Sequence, residues 1–469
     1  MESSLPVFGP AEQQWHDFSV AQWREAAIAH GAESGIRAAL QRIRTRDSLI
    51  NAFSTVLDAQ ALESARRLDL SMASRGDHHQ RNAQVGPLFG VPIAIKEEVD
   101  VAGTVTTFGT NANSTKRCKD AEIVSRLRRA GAIIIGKTTM PAFGAFPFTE
   151  SEATGITRNP YDLSRTPGGS SGGTAAAIAA GMVPAAIGGD GGGSVRIPAA
   201  HCGLVGLKPG RGVLPTDPYP DLWLSLGTAG PLGKCVQDVS LVYDALLGRD
   251  THLPLGSRSS HERPLRVAFD LHPVSPFTPP HREHVAAVHR VVGELERAGH
   301  GVEKKQFRYP DPTPAFLVQF YAGIREEIAR LDHPEWIEPR HKRTALMGAW
   351  TKPAAVQEWA RRASERLGNI VEKEVFGRYD LLLTPTVAGR PMKAGKLMKM
   401  GTIAAQLASL PSVAYTATWN VSGHPAIALP VGVGSDGLPV SVQLVASREG
   451  GEELLLDVAA TLEDLLRRN

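Results

Sequence analysis

The chain has 469 residues, 42% of them hydrophobic and 21% charged, with a formal net charge of +3. That balance is globular, and so small a charge excess excludes the broad basic surface of a nucleic-acid or membrane-surface binder. The length suits one large α/β domain or two to three average ones. Three cysteines, Cys118, Cys202 and Cys235, share no metal or redox spacing, as in a reducing compartment. No basic segment followed by an apolar run opens the chain, and no run approaches the roughly 18 apolar residues of a membrane span. The expectation is a cytoplasmic protein with no nucleic-acid or membrane partner.

Residues 19–75 read as helices. Val20, Trp23, Ala26 and Ala27, then Ile36, Leu40 and Ile43, then Ala61, Ala65 and Leu68 recur at helical spacing. From about residue 86 short apolar runs punctuated by glycine take over. VPIAIK (91–96) and AIIIGK (132–137) read as buried strands with the helix AEIVSRLRRA between them, the alternation of a parallel α/β sheet. A small-residue helix (174–180) and a short apolar segment (183–187) follow. Residues 250–400 are less regular, with helical stretches at 283–299 and 354–376. Strand texture returns at DLLLTP (380–385), PAIALPVGV (425–433) and PVSVQLVAS (439–447). A last helix, 452–467, carries Leu454, Leu455, Val458, Leu462 and Leu465 on one face. Strands at both ends predict one large sheet in a single domain. Its parts are a helical N-terminal segment (1–75), a core (86–245), a variable helical region (250–378) and closing strands with a C-terminal helix (379–469).

Several patterns carry no chemistry. GAIIIGKT (131–138) matches the phosphate-loop expression G-x-x-x-x-G-K-[ST]. Its intervening residues include Ile133, Ile134 and Ile135, which suit a buried strand and not a turn converging on an anion. His281, His284 and His289 lie on one helix without an H-E-x-x-H spacing, so a solvated helix is preferred to a metal site. The basic segments EPRHKR (338–343) and KAGKLMKM (393–400) read as exposed faces.

What remains is residues 167–203, with a glycine–serine turn (168–173) and the loop GGDGGGSVR (188–196). A glycine inside a regular element costs roughly 0.5–1 kcal/mol relative to alanine, so the run needs a reason. A linker would not interleave two such loops with a close-packing helix and then continue into Ile197-Pro198. A phosphate cradle is built from successive N–H groups, but this loop lacks a lysine directly after it and contains Asp190, which repels phosphate. The third use is to crowd backbone N–H groups around the Ser194 oxygen.

This run resembles the signature of the amidase signature family of serine hydrolases. GVPIAIKEEVD (90–100) is similar to the family's lysine-bearing strand, and GAIIIGKTTMPAFG (131–144) to the strand and turn after it. DLLLTP, NVSGHPAIALPVG and GLPVSVQLV are similar to its closing strands. The resemblance covers most of residues 86–245 and 379–467 and none of 250–378. It implies an α/β fold, a large mixed twisted β-sheet with helices on both faces. It also implies an amidase that cleaves a carbon–nitrogen amide bond of a small molecule, with no metal and no organic cofactor. A serine–serine–lysine triad comes with it. Ser194 matches the nucleophile, Lys96 the base, and Ser170 the bridging serine, in a cis peptide with Gly169. Ser171 is a supporting residue. Gly191, Gly192 and Gly193 would offer N–H groups to the oxyanion, and Asp190 would pair with Arg196 to hold the loop.

The chemistry suits these roles. A serine hydroxyl is a weak nucleophile until a neighbour takes its proton. A lysine can take it only when neutral, a form that burial favours. Two departures stand out. The family pattern is of the type GTDTGGS where this chain has GGDGGGS, with glycine at 189 and 191. Lys96 is also followed by Glu97, Glu98 and Asp100, and in an extended strand Glu97 would face away from Lys96 while Glu98 would not. Two rival readings are a glutamine-hydrolysing subunit of a tRNA-dependent amidotransferase and a catalytically silent binding protein. The acyl pocket is expected to draw on residues 250–400. Trp223, Phe320, Tyr321 and Trp350 are its aromatic candidates, although a core or surface role for each weighs more. Oligomeric state is left open, with a homodimer among the options.

Overall fold

The apolar runs of the chain meet in one sheet. The computed structural model describes residues 15–73, 85–219, 221–249, 255, 263–274 and 277–468. Its strands are β1 (Phe53–Val56), β2 (Pro92–Lys96), β3 (Ile133–Thr138), β4 (Glu150–Ser151), β5 (Gly155–Ile156), β6 (Ala185–Asp190), β7 (Val205–Lys208), β8 (Thr228–Gly233), β9 (Arg266–Phe269), β10 (Gly301–Lys304), β11 (Leu381–Pro385), β12 (Ala426–Val433) and β13 (Pro439–Ala446). Eleven of them hydrogen-bond in the order β1-β3-β2-β6-β8-β7-β12-β13-β11-β9-β10, and β4 pairs with β5 apart. β2 runs parallel to β3 and β6, while β6 runs antiparallel to β8 and β12 to β13, so the sheet is mixed as expected.

Alternation along the closing strands shows how both faces are covered. Leu381 and Leu383 of β11, Ile427 of β12 and Leu444 of β13 join one apolar cluster, with Val288, Val291, Leu454 and Leu455 from the helices Arg282–Arg297 and Gly451–Arg468. Their neighbours Leu382, Ala426 and Val445 point the other way. They join a second cluster with Ile324, Leu367 and Trp419 from the helices Thr313–Ala329, Ala354–Val371 and Ala417–Val421.

The structure corrects the sequence reading in three places. The N-terminal segment is helical over Val20–His30, Ala32–Ile50 and Asp58–Ala73, but β1 interrupts it and pairs antiparallel with β3; its last residues, 74 and 75, lie outside the described residues. Residues 250–378 are not only helical, because β9 and β10 extend the sheet beyond β11. His284 is not solvated. It is 2% exposed, whereas His281 caps the helix and His289 stays exposed. Among the described residues no helix is long and apolar enough to cross a membrane, and no group of three metal-ligating side chains forms.

Candidate active site

β2 and β6 lie side by side, and each ends at a residue of the predicted site. β2 ends at Lys96, which is 1% exposed, as the apolar run before it predicts. Its Nζ donates to Ser170 Oγ at 2.8 Å and to the Gly189 carbonyl at 3.3 Å. The Gly169–Ser170 peptide bond is cis, as expected. Ser171 ties the two glycine loops together. Its N–H donates to the Ser194 carbonyl at 3.2 Å, and its Oγ donates to the Gly189 carbonyl at 3.1 Å and accepts the Gly189 N–H at 3.2 Å. Ser194 is half-buried, and no hydrogen bond joins its hydroxyl to Ser170 in this resting geometry.

The loop after β6 is fixed from beneath by one carboxylate. Asp190 accepts from the Gly193 and Val195 N–H groups at 2.7 and 3.1 Å, and from Arg196 Nε and Nη2 at 3.0 and 2.9 Å. Asn420 Nδ2 adds a further bond at 2.8 Å. Burial would raise this carboxyl, but the Arg196 guanidinium holds it far below the usual carboxylate range. Arg196 in turn reaches the Thr416 carbonyl, Asn420 Oδ1 and Gln443 Oε1 at 3.0, 2.6 and 2.7 Å. Both ions are fully buried, and breaking such a pair costs about 3–5 kcal/mol.

This arrangement changes the part assigned to Gly193. Its N–H is committed to Asp190, so it is not an oxyanion donor. Glycine is required there by a φ of 122° and by the space, because a Cβ would fall 2.3 Å from Thr416 Oγ1. Among the described residues the N–H groups of Gly191, Gly192 and Ser194 have no protein acceptor, which leaves these three for an oxyanion.

The two departures in the loop are filled spaces. A Cβ on Gly189 would lie 1.8 Å from Glu98 Oε1, and one on Gly191 would lie 3.2 Å from the Trp223 ring. Glu98 therefore faces Lys96, at 3.0 Å from Nζ. Glu97 turns away, although β2 ends at Lys96 and residues 97–98 form a turn and not the extended strand expected. It pairs with buried Lys137 of β3 at 3.3 Å while accepting from Thr107 and Ser54. Lys137 is the lysine of the phosphate-loop lookalike, and its strand assignment stands.

Trp223 is buried, and its Nε1 donates to Glu327 Oε1 at 2.6 Å. No sequence pattern pointed to Glu327, which is 4% exposed with Oε2 lacking a partner. Burial pushes its carboxyl up from 4.5 to about 8, against the pull of the Trp223 hydrogen bond. A carboxyl raised on folding binds its proton more tightly in the native state. Its stabilising contribution is therefore complete below pH 4.5 and is lost as pH rises through about 8. Wild-type Tm should fall across that window more steeply than the Tm of Glu327→Gln, which cannot ionise. Parallel melting curves from pH 5 to 9 would contradict the burial argument.

Next to the loop opens an apolar cavity of about 180 Å³, lined by Phe146, Phe316, Leu317, Phe320, Leu410, Val413, Ala417 and others, none of them charged. The Phe316 ring lies 3.1 Å from where a Gly192 Cβ would be. Ala145, which also lines the cavity, follows Gly144, whose Cβ would lie 3.0 Å from Ser170 Oγ. The cavity thus lies beside both loops of the site, although no residue of either loop lines it. Of the four aromatic candidates, only Phe320 lines it. Trp223 packs on the glycine loop, Tyr321 is core with its hydroxyl on Gln406, and Trp350 is half exposed at the surface.

Comparison with known proteins agrees with this construction. The family described as Amidase matches residues 35–456. AmiB2 of Mycobacterium tuberculosis, a protein named as an amidase, is 39% identical over 431 residues, 90% of each chain. A glutamyl-tRNA(Gln) amidotransferase subunit of Symbiobacterium thermophilum is 32% identical over 454 residues, 89% of this chain and 90% of that one. The structure of 6-aminohexanoate cyclic dimer hydrolase matches with a TM-score of 0.84 at 28% identity, covering 96% of this chain and 97% of that one. Fold and likeness together define a hydrolase of amide carbon–nitrogen bonds. The chain belongs to the amidase signature family.

Proposed function

We propose that the protein hydrolyses small-molecule amides whose acyl group is apolar and uncharged, through an acyl-enzyme on Ser194. Ser194 Oγ attacks the amide carbonyl as its proton passes to Ser170 and the Ser170 proton passes to Lys96 Nζ. The N–H groups of Gly191, Gly192 and Ser194 receive the oxyanion, the interaction that usually contributes most in acyl transfer. Collapse of the intermediate returns the proton to the departing nitrogen and releases ammonia or an amine. Water then attacks the ester by the same relay in reverse, freeing the carboxylic acid.

The observation that carries this reading is the Lys96–Ser170 contact at 2.8 Å beside an uncharged, phenylalanine-lined cavity. Ligand sites are lined mainly by apolar and aromatic side chains, and this cavity, with room for a small acyl group, gains by burying hydrocarbon. Glutamine fits it badly, because its α-ammonium and α-carboxylate would be desolvated without a charged partner in the lining. That argues against the amidotransferase-subunit reading.

The test is a series of primary amides. Hexanamide and phenylacetamide should exceed acetamide in kcat/KM by at least about 100-fold, since each methylene in such a pocket is worth roughly tenfold or more. 6-Aminohexanamide should fall at least about tenfold below hexanamide, because its ammonium would be buried unpaired. Glutamine turned over as fast as hexanamide would overturn the reading.

A further inference from the structure

Lys96 Nζ has three neighbours: Ser170 Oγ at 2.8 Å, the Gly189 carbonyl at 3.3 Å and Glu98 Oε1 at 3.0 Å. They differ in what they can do. A carbonyl and a carboxylate only accept hydrogen bonds, whereas a hydroxyl can also donate. A neutral amine carries two N–H bonds and one lone pair. With the two N–H bonds directed at the Gly189 carbonyl and Glu98, the lone pair is left facing the Ser170 hydroxyl.

We infer that Glu98 is a positioning residue for the reaction: it aims the Lys96 lone pair at Ser170 and faces the ammonium once the proton has crossed. The inference rests on the reading of Lys96 as the base. Glu98 exchanges no proton: the Ser170 O–H breaks as an N–H forms on Lys96, and Ser170 regains an O–H with the proton that leaves Ser194. The role is that of a third group orienting a catalytic base, as a buried aspartate does for histidine in serine proteases.

The seat of Glu98 depends on a missing side chain. Its Oε1 lies 1.8 Å from the point where a Cβ on Gly189 would be, closer than any two non-bonded atoms approach. The glycine at 189 and the glutamate at 98 therefore form one device. A salt bridge serving stability alone would also occupy this space, so the experiment must separate the two roles.

Glu98→Gln keeps the shape and removes the charge. The expected result is a kcat at least about 100-fold below wild type, with KM within about threefold and an unchanged Tm; losing the orienting carboxylate of a serine protease costs up to about 10⁴-fold. Gly189→Ala should displace the carboxylate and lower kcat comparably. The double variant Glu98→Gln/Gly189→Ala should be no slower than Gly189→Ala, since the group is already displaced. A Glu98→Gln enzyme within threefold of the wild-type kcat would overturn the inference, as would losses that multiply in the double variant. Fluorophosphonate labelling of the wild-type enzyme keeps the parent reading separate. If Ser194 takes no label, the acyl-enzyme reading falls with the inference. A label on Ser194 together with normal Glu98→Gln turnover would remove only the inference.

Discussion

Ser194→Ala should lose amide turnover almost completely, with kcat down on the order of 10⁴–10⁶-fold and the folded protein intact. The magnitude follows from the proposed acyl-enzyme on Ser194, since removing a catalytic nucleophile costs about as much as removing its whole triad. The fold should survive for a separate reason. The position is tied in through its carbonyl, which accepts the Ser171 N–H at 3.2 Å, and alanine keeps that bond. The neighbouring Gly193 and Val195 N–H groups stay on Asp190, so the oxyanion loop keeps its shape. Tm should move by no more than roughly 2 °C, and labelling by a fluorophosphonate should vanish. A variant that retains more than a few per cent of wild-type turnover, at matched protein concentration and purity, would place the nucleophile elsewhere.

The same residues show why part of this site could be read from sequence. Lys96 ends a buried apolar run, and Ser170 and Ser194 lie in glycine-rich loops. The resemblance of these runs to the amidase signature assigned their roles, and the structure brings the Lys96 and Ser170 side chains together. What holds them was not legible. Arg196 is fixed by Thr416, Gln443 and Asn420, which lie 220, 247 and 224 residues further along the chain. No periodicity links positions that far apart. Phe316 and Glu327 share the helix Thr313–Ala329, where a side chain facing a cavity repeats at the same spacing as one facing the core.

The fold shows the same division. β2, β3 and β11 to β13 announce themselves as buried apolar runs, because both faces of the central sheet are covered. β1, β9 and β10 have four residues each, and Gly301, Glu303 and Lys304 of β10 are exposed, so an edge strand left no hydrophobic signature. His284 was misread for the converse reason. Polar residues around it gave the helix a solvated appearance, while its position in the 3.6-residue repeat turned it inward beside Val288 and Val291.

Lys96→Ala should be nearly as damaging as the loss of the nucleophile, and its pattern of rescue is more informative. A positioned general base supplies about 10²–10⁴-fold, and kcat/KM should fall by at least that much on any reactive amide. The substitution leaves a space lined by Ser170 Oγ, the Gly189 carbonyl and Glu98. A small primary amine can enter it and meet the same three groups, so added methylamine should restore turnover in proportion to its free-base concentration. Lys96→Arg should restore nothing, because a guanidinium does not give up its proton in a protein and has no lone pair to offer Ser170. The loss of a buried cation could instead act through stability, since Glu98 is only 16% exposed and would be left without its partner. Lys96→Ala/Glu98→Gln removes that imbalance. If the double variant folds as well as wild type and is no more active than Lys96→Ala, the loss in Lys96→Ala does not come from an unpaired buried charge. If Lys96→Ala ignores added amine, another residue accepts the Ser170 proton and the proposed relay is wrong.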